Sequence, residues 1–258
     1  MRPLTALLTA TVRIYVDAAR EAGKAFSRSA WAFLTLLLCF PLLAVVGLLV
    51  APLGIIGGLI LSILNAACAG TYLAMLRDVL SVRRSLGPAA VRSNLGASTW
   101  DIINVLFPIW IVDLLLSLLG VPAVVPLVFG IAVVLFLNPV PEMIGRSRNG
   151  GLELLREAAQ FMMNHGPEWL IPQVGALALL WLAFPTQALP ILSLFGPRFG
   201  FTTTGSLAMS AGSGAVGWAI GFGLVALVHL LMLFRGALYL RLSGAGGRRA
   251  REWSERLR

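Results

Sequence analysis

The sequence predicts an all-α, polytopic membrane protein: six transmembrane helices arranged as three hairpins, with amphipathic surface helices on the cytoplasmic side. Three observations carry this. Residues 29–76 run for 48 positions without Asp, Glu, Lys, Arg or His, and about 20 apolar residues suffice for one crossing of a bilayer. The chain is 58% hydrophobic and 12% charged, with a mean hydropathy of +0.88; soluble domains carry about 25% charged residues. Finally, 19 of the 20 basic residues lie before the first predicted span, in the two even-numbered loops or in the tail. Basic loops stay in the cytoplasm, so both termini are expected there, in a bacterial cytoplasmic (inner) membrane.

One membrane domain takes the whole chain, 1–258. Residues 1–29 form an amphipathic surface helix. Thr5, Thr9, Arg13, Asp17, Arg20, Lys24 and Arg28 recur every three or four positions, with Leu4, Leu7, Leu8, Val12, Tyr15, Ala19, Ala22 and Phe26 on the other side. That is a helical period with one wet face. It fits a helix lying among lipid headgroups, or one packed on a cytoplasmic partner. The short apolar run at its start is interrupted by Arg13, so it reads as retained rather than as a cleaved signal.

Residues 30–76 are the first hairpin, turning at Pro52-Leu53-Gly54. Residues 100–141 are the second, turning at Gly120-Val121-Pro122; each arm has only about 18 residues and must stand upright or dip in and return. Residues 142–167 hold a second surface helix near 152–163, with Glu153, Arg156, Glu157, Gln160 and Asn164 on its polar side and Leu152, Leu155, Ala159 and Met162 opposite. Asn164-His165-Gly166-Pro167 is its predicted stop. Residues 168–237 are the third hairpin, with a long outer loop containing Arg198. Residues 238–258 form a basic cytoplasmic tail, with i,i+4 pairs such as Arg248/Glu252 that favour a short helix. Trp31, Trp100 and Trp169 each stand at the entrance of an odd-numbered span, 69 residues apart, which fits a threefold "surface helix plus hairpin" repeat.

Asn138-Pro139-Val140-Pro141-Glu142, then Glu168-Trp169, then Phe234-Arg235-Gly236 with Tyr239 give the chain a resemblance to a group of uncharacterised six-span bacterial inner-membrane proteins. These have an N-terminal surface helix, an N-P-x-P-E exit motif and a basic C-terminus. The resemblance implies a layout and no activity.

Asp113 is the leading candidate for chemistry, because an ionisable group inside a span is costly. It is read as a proton or cation site, or as a carboxylate near the outer surface paired with Arg198. Asn65, Asn104, Gln173 and His229 complete the candidate intramembrane polar set. Amides in spans mostly bond across helices, and a lone His is more often a hydrogen-bonded packing residue than a ligand. Gly212-Ser213-Gly214 with His229 faintly fits a serine hydrolase, but Ser213 and His229 are 16 residues apart on what reads as one helix and its lead-in. Cys39 and Cys68 are read as small apolar residues at a helix interface. No P-loop, HExxH motif, zinc spacing or carboxylate pair is present, so neither cofactor nor metal is expected.

A net charge of +9 is assigned to the membrane surface and not to nucleic acid. Anionic lipid is the partner expected at Arg13, Arg20, Lys24, Arg28, Arg83, Arg84, Arg248, Arg249 and Arg251; a membrane-protein partner or a second copy is the other. These features favour a non-enzymatic scaffold or accessory component organising the membrane. The alternative is a small permease that uses Asp113 as its coupling site.

Overall fold

The computed structural model describes residues 2–82, 85–147, 150–183 and 215–256. Every regular element among them is helical: α1 (Arg2–Arg28), α2 (Ala30–Val50), a 3-10 turn (Ala51–Leu53), α3 (Ile55–Val82), α4 (Pro88–Asn94), α5 (Thr99–Leu118), α6 (Val124–Phe136), α7 (Val140–Met143), α8 (Gly151–Ala183) and α9 (Ala215–Arg256). Four stretches are long and apolar enough to cross a membrane: Ala30–Leu53, Ile55–Ser81, Thr99–Leu118 and Ala219–Gly244. α6 has 13 residues, a reach of about 20 Å against a hydrocarbon core of about 30 Å.

α2 and α3 pack antiparallel across the tight turn that Pro52 and Gly54 provide. Leu61 lies against Gly47, and the Thr35 hydroxyl donates to Met75 Sδ at 3.4 Å. Cys39 and Cys68 meet across the same interface as free thiols. α3 then receives the α4–α5 link. Gly70 lets the backbone of Ser98 and Thr99 approach so closely that an added Cβ would stand 3.0 Å from both. Next to it the Gly96 amide donates to Thr71 Oγ1 at 2.8 Å.

Packing is concentrated at one end of this bundle. Tyr72, Met75 and Val79 of α3, Trp169 of α8 and Leu233 and Leu238 of α9 are wholly buried there. At the other end large apolar side chains stand in the open, among them Leu48 (79% exposed) and Ile55 (87%). Water would not leave such a belt uncovered in a soluble protein, whereas lipid tails cover it at no cost.

Three expectations need correction. The sequence predicts a surface helix ending at 164–167 and a new span from Trp169; α8 is instead one helix that passes through Pro167 and Pro172. A single buried stripe, Leu154, Ala158, Phe161, Met162, Gly166 and Trp169, runs along both halves. The packing gained on that stripe outweighs the amide that proline lacks. The inward face also differs from the predicted one, since Leu152 is exposed and Leu154 buried.

The apolar side predicted for α1 divides in two. Its inward stripe is Ala18, Ala22 and Ala25, while Val12, Ala19 and Phe26 are exposed. Alanines win this face because α1 packs along α9, and small side chains allow two helices to approach closely. The partner of α1 is therefore the chain's own last helix. Lastly, the tail is continuous with the final span, as α9 runs 42 residues through Gly236 and Gly244.

The three Trp residues do not share an environment. Trp100 is 74% exposed and Trp169 is 0% exposed. Trp31 and Trp100 follow helices of 27 and 7 residues, α1 and α4, whereas Trp169 lies inside the 33-residue α8.

Candidate functional site

The packed end of the bundle holds two buried polar clusters, both built on α9. The first surrounds His229. Its Nε2 lies 2.8 Å from Ser29 Oγ and its Nδ1 2.9 Å from Tyr72 OH. Ser29 is the residue between α1 and α2, and its hydroxyl donates to the Phe26 carbonyl at 2.9 Å. One assignment satisfies this chain of bonds with a neutral imidazole: Tyr72 donates to Nδ1, Nε2–H donates to Ser29, and Ser29 donates to Phe26. In that arrangement Nε2 carries the proton and is no base for the serine, unlike the His of a hydrolase triad. Phe26, Phe33 and Tyr72 pack around the ring at centroid distances of 5.5–5.8 Å. The cluster joins the α1–α2 junction, α3 and α9.

The second cluster lies six residues further along α9. Arg235, 1% exposed, donates from Nε to Glu142 Oε1 at 2.6 Å and from Nη2 to Glu142 Oε2 at 2.9 Å and to the Asn138 carbonyl at 2.7 Å. The Trp169 indole N–H donates to Asn138 Oδ1 at 2.8 Å, and the guanidinium stands 5.3 Å from the centre of the Trp169 ring. Phe161 and Tyr239 pack edge-on to the same indole. Asn138-Pro139-Val140-Pro141-Glu142 makes this possible. Pro139 and Pro141 fix the backbone after α6 so that a single short turn, α7, carries Glu142 inward. Burial pushes the Glu142 carboxyl up from its usual range, and the Arg235 guanidinium draws it back down. The fork-to-fork geometry and the filled hydrogen bonds let a buried pair persist.

α1 is tied to this end from outside. Tyr15 OH donates to the Glu168 carbonyl at 2.9 Å, and Arg241 Nη1 contacts Asp17 Oδ2 at 3.3 Å. Around α1 the residues sort into three faces. Ala18, Ala22 and Ala25 face the protein; Val12, Val16, Ala19 and Phe26 form an exposed apolar stripe; and Arg13, Arg20, Lys24 and Ser27 form an exposed polar stripe.

The residues singled out from the sequence are dispersed. Asn65 is half-buried on α3, Asn104 is exposed on α5, and Gln173 is half-buried and donates to the Trp169 carbonyl of its own helix at 3.0 Å. Asp113 is half-buried on α5. Gly70 sets Ser98 level with the middle of α3, so Asp113 lies about 22 Å further along the bundle, away from His229. Of the predicted polar set, His229 belongs to one of these two clusters. Arg13, Arg20 and Lys24 are exposed on α1; Arg28 donates to the Lys24 carbonyl and pairs with Glu21 at 3.7 Å. Arg248, Arg249 and Arg251 continue the helical backbone of α9. Arg83, Arg84, Arg198 and the Gly212-Ser213-Gly214 motif lie outside the described residues.

Sequence reasoning missed Ser29, Tyr72 and the Arg235–Glu142 pair as site residues. A signal for the pair was present: each is the charge that closes an apolar run. Among the described residues, no group of three or more His, Cys, Asp and Glu stands where it would hold a metal ion. No known protein family matches the chain, and neither does any curated protein or any solved structure.

Proposed function

We propose that this chain is a non-enzymatic scaffold or accessory component of the bacterial cytoplasmic membrane. It crosses six times in the layout of the group it resembles, has both termini inside, and rests α1 on the cytoplasmic surface against anionic lipid. The three-faced α1 carries the reading. Its alanine stripe is taken up by α9, its apolar stripe continues the lipid-facing belt, and its basic stripe lies at headgroup level, the arrangement of an interfacial helix. The use of the buried polar groups supports the same view. His229, Arg235, Glu142 and Asn138 hold helices to one another, as cross-helix polar contacts do in a packed membrane bundle.

The test is reconstitution in anionic vesicles. A fluorophore at Val16→Cys should report an apolar setting and one at Arg20→Cys an aqueous one, in a variant lacking Cys39 and Cys68. The same vesicles should show no proton uptake that Asp113→Asn abolishes. Uptake of that kind would replace this reading with the permease.

A further inference from the structure

We propose that Cys39 and Cys68 form a redox-active dithiol at mid-membrane depth, which a lipid-soluble quinone oxidises to a disulfide between α2 and α3.

Helix register brings the two thiols together. α2 and α3 are antiparallel, and two contacts fix their alignment: Thr35 Oγ1 with Met75 Sδ, and Gly47 with Leu61. Counting inwards from either contact sets Cys39, one turn beyond Thr35, opposite the turn of α3 that carries Cys68. The two side chains are hydrogen-bonded thiol to thiol and are 9% and 5% exposed. Ala66 and Ala69, buried on the same stretch of α3, are small enough to let a neighbouring helix come close. Among the described residues no third His, Cys, Asp or Glu completes a metal site with them. The chemistry the pair offers is its own: two S–H bonds exchanged for one S–S bond.

Depth selects the oxidant. Cys39 lies nine residues from the start of α2 at Ala30, and Cys68 lies nine residues before Arg77, the first charge after residues 29–76. Either count gives about 14 Å of helix, against a hydrocarbon core of about 30 Å. Residues 29–76 contain no Asp, Glu, Lys, Arg or His. Neither helix therefore supplies a base or a countercharge at this depth, and a thiolate would be an unpaired charge in lipid. Exchange with a water-soluble thiol or disulfide proceeds through a thiolate, so that route is closed here.

A quinone meets the requirement. It is uncharged, dissolves in the bilayer core and takes up two electrons together with two protons. Both S–H bonds break and one S–S bond forms. The thiols are oxidised, the quinone is reduced to a quinol, and the two thiol protons end on the quinol oxygens. Reactants and products are all neutral. Leu38 and Leu42 stand exposed on α2 on either side of Cys39, so the pair lies just beneath the lipid-facing surface. The bond would lock α2 to α3 one turn from the Thr35–Met75 contact. The inference uses the membrane placement of α2 and α3 and not the scaffold reading.

The experiment uses the reduced full chain in lipid nanodiscs. Decylubiquinone, ferricyanide and molecular iodine are added in separate samples. Each sample is then denatured in N-ethylmaleimide, and the remaining thiols are counted by intact mass. Decylubiquinone should abolish alkylation at both cysteines and yield an equivalent of quinol, and the oxidised protein should melt higher than the reduced one, as a cross-linked hairpin does. Ferricyanide, which is charged and stays in water, should leave both thiols free. Cys39→Ala and Cys68→Ala should each keep their remaining thiol and form no quinol. Thiols that resist decylubiquinone but are closed by iodine, a small neutral oxidant, would keep the dithiol and overturn its assignment to quinone. Thiols that resist both would overturn the pair. Closure by ferricyanide as fast as by the quinone would overturn the mid-membrane depth, and equal quinol formation by either alanine variant would show that the pair is not the source of the electrons.

Discussion

Arg235 and Glu142 come from chain positions 93 residues apart, yet they meet with bidentate geometry in the core. Removing one partner of such a pair leaves a buried charge behind, at a cost of about 3–5 kcal/mol. Arg235→Met is therefore expected to lower the melting temperature sharply in detergent. Pairing it with Glu142→Leu should recover much of the loss; a double variant as unstable as the sum of the singles would show that the two do not act as a pair. Ser29→Ala removes the partner of His229 Nε2 and should cost about 1–3 kcal/mol, because the imidazole donor is then buried without an acceptor. A melt unchanged from the wild type would contradict the assigned bonding. These contacts were only half legible in the sequence. His229 stands out as a lone polar residue in an apolar run, and the exit motif points to Asn138 and Glu142. That Ser29 and Tyr72 reach the histidine, or that Trp169 bonds Asn138, depends on how four helices are set against one another, and local periodicity carries no such information.

Among the helices, α3 and α9 form the centre, and α1 and α8 are fitted to them. Period and charge identify α1 as amphipathic, but they do not tell which part of its apolar side meets another helix: Ala22 is buried, whereas Val12, Ala19 and Phe26 are exposed. Large apolar residues look like the core side of a helix in water. In α1 the large side chains stand exposed, and the alanines go to the helix neighbour. Ala22→Leu should accordingly push α1 off α9 and destabilise by about 1–3 kcal/mol, the usual cost of overpacking, while Ala19→Leu should be nearly neutral. The opposite order in thermal melts would contradict the packing of Ala22 against α9. Gly70→Ala should be costly for its size, since the Cβ would meet backbone atoms of Ser98 and Thr99 at 3.0 Å, and backbone yields less readily than the end of a side chain. α8 shows the limit of punctuation rules. Asn-His-Gly-Pro reads as a stop, yet the helix continues through it, and Phe161 packs against both His165 and Trp169. Pro41 and Pro108 likewise sit inside α2 and α5, as proline does in membrane helices whose neighbours supply the missing contacts.

The described residues divide into a packed, polar end and an exposed, apolar end, and under the proposed function the first faces the cytoplasm. Hydropathy made the membrane class and the helical fold legible from residues 29–76 alone. The number of crossings was less so: α6 is short for a span, and residues 184–214, between α8 and α9, lie outside the described residues. The most direct test of the account is sidedness. In a variant lacking Cys39 and Cys68, single cysteines are placed by Ser27→Cys on α1, Ser93→Cys on α4 and Ser206→Cys before α9, and intact cells are treated with a membrane-impermeant maleimide. The account expects labelling at position 206 in intact cells and at positions 27 and 93 only after the inner membrane is permeabilised. Labelling of 27 or 93 in intact cells, or protection of 206, would contradict it.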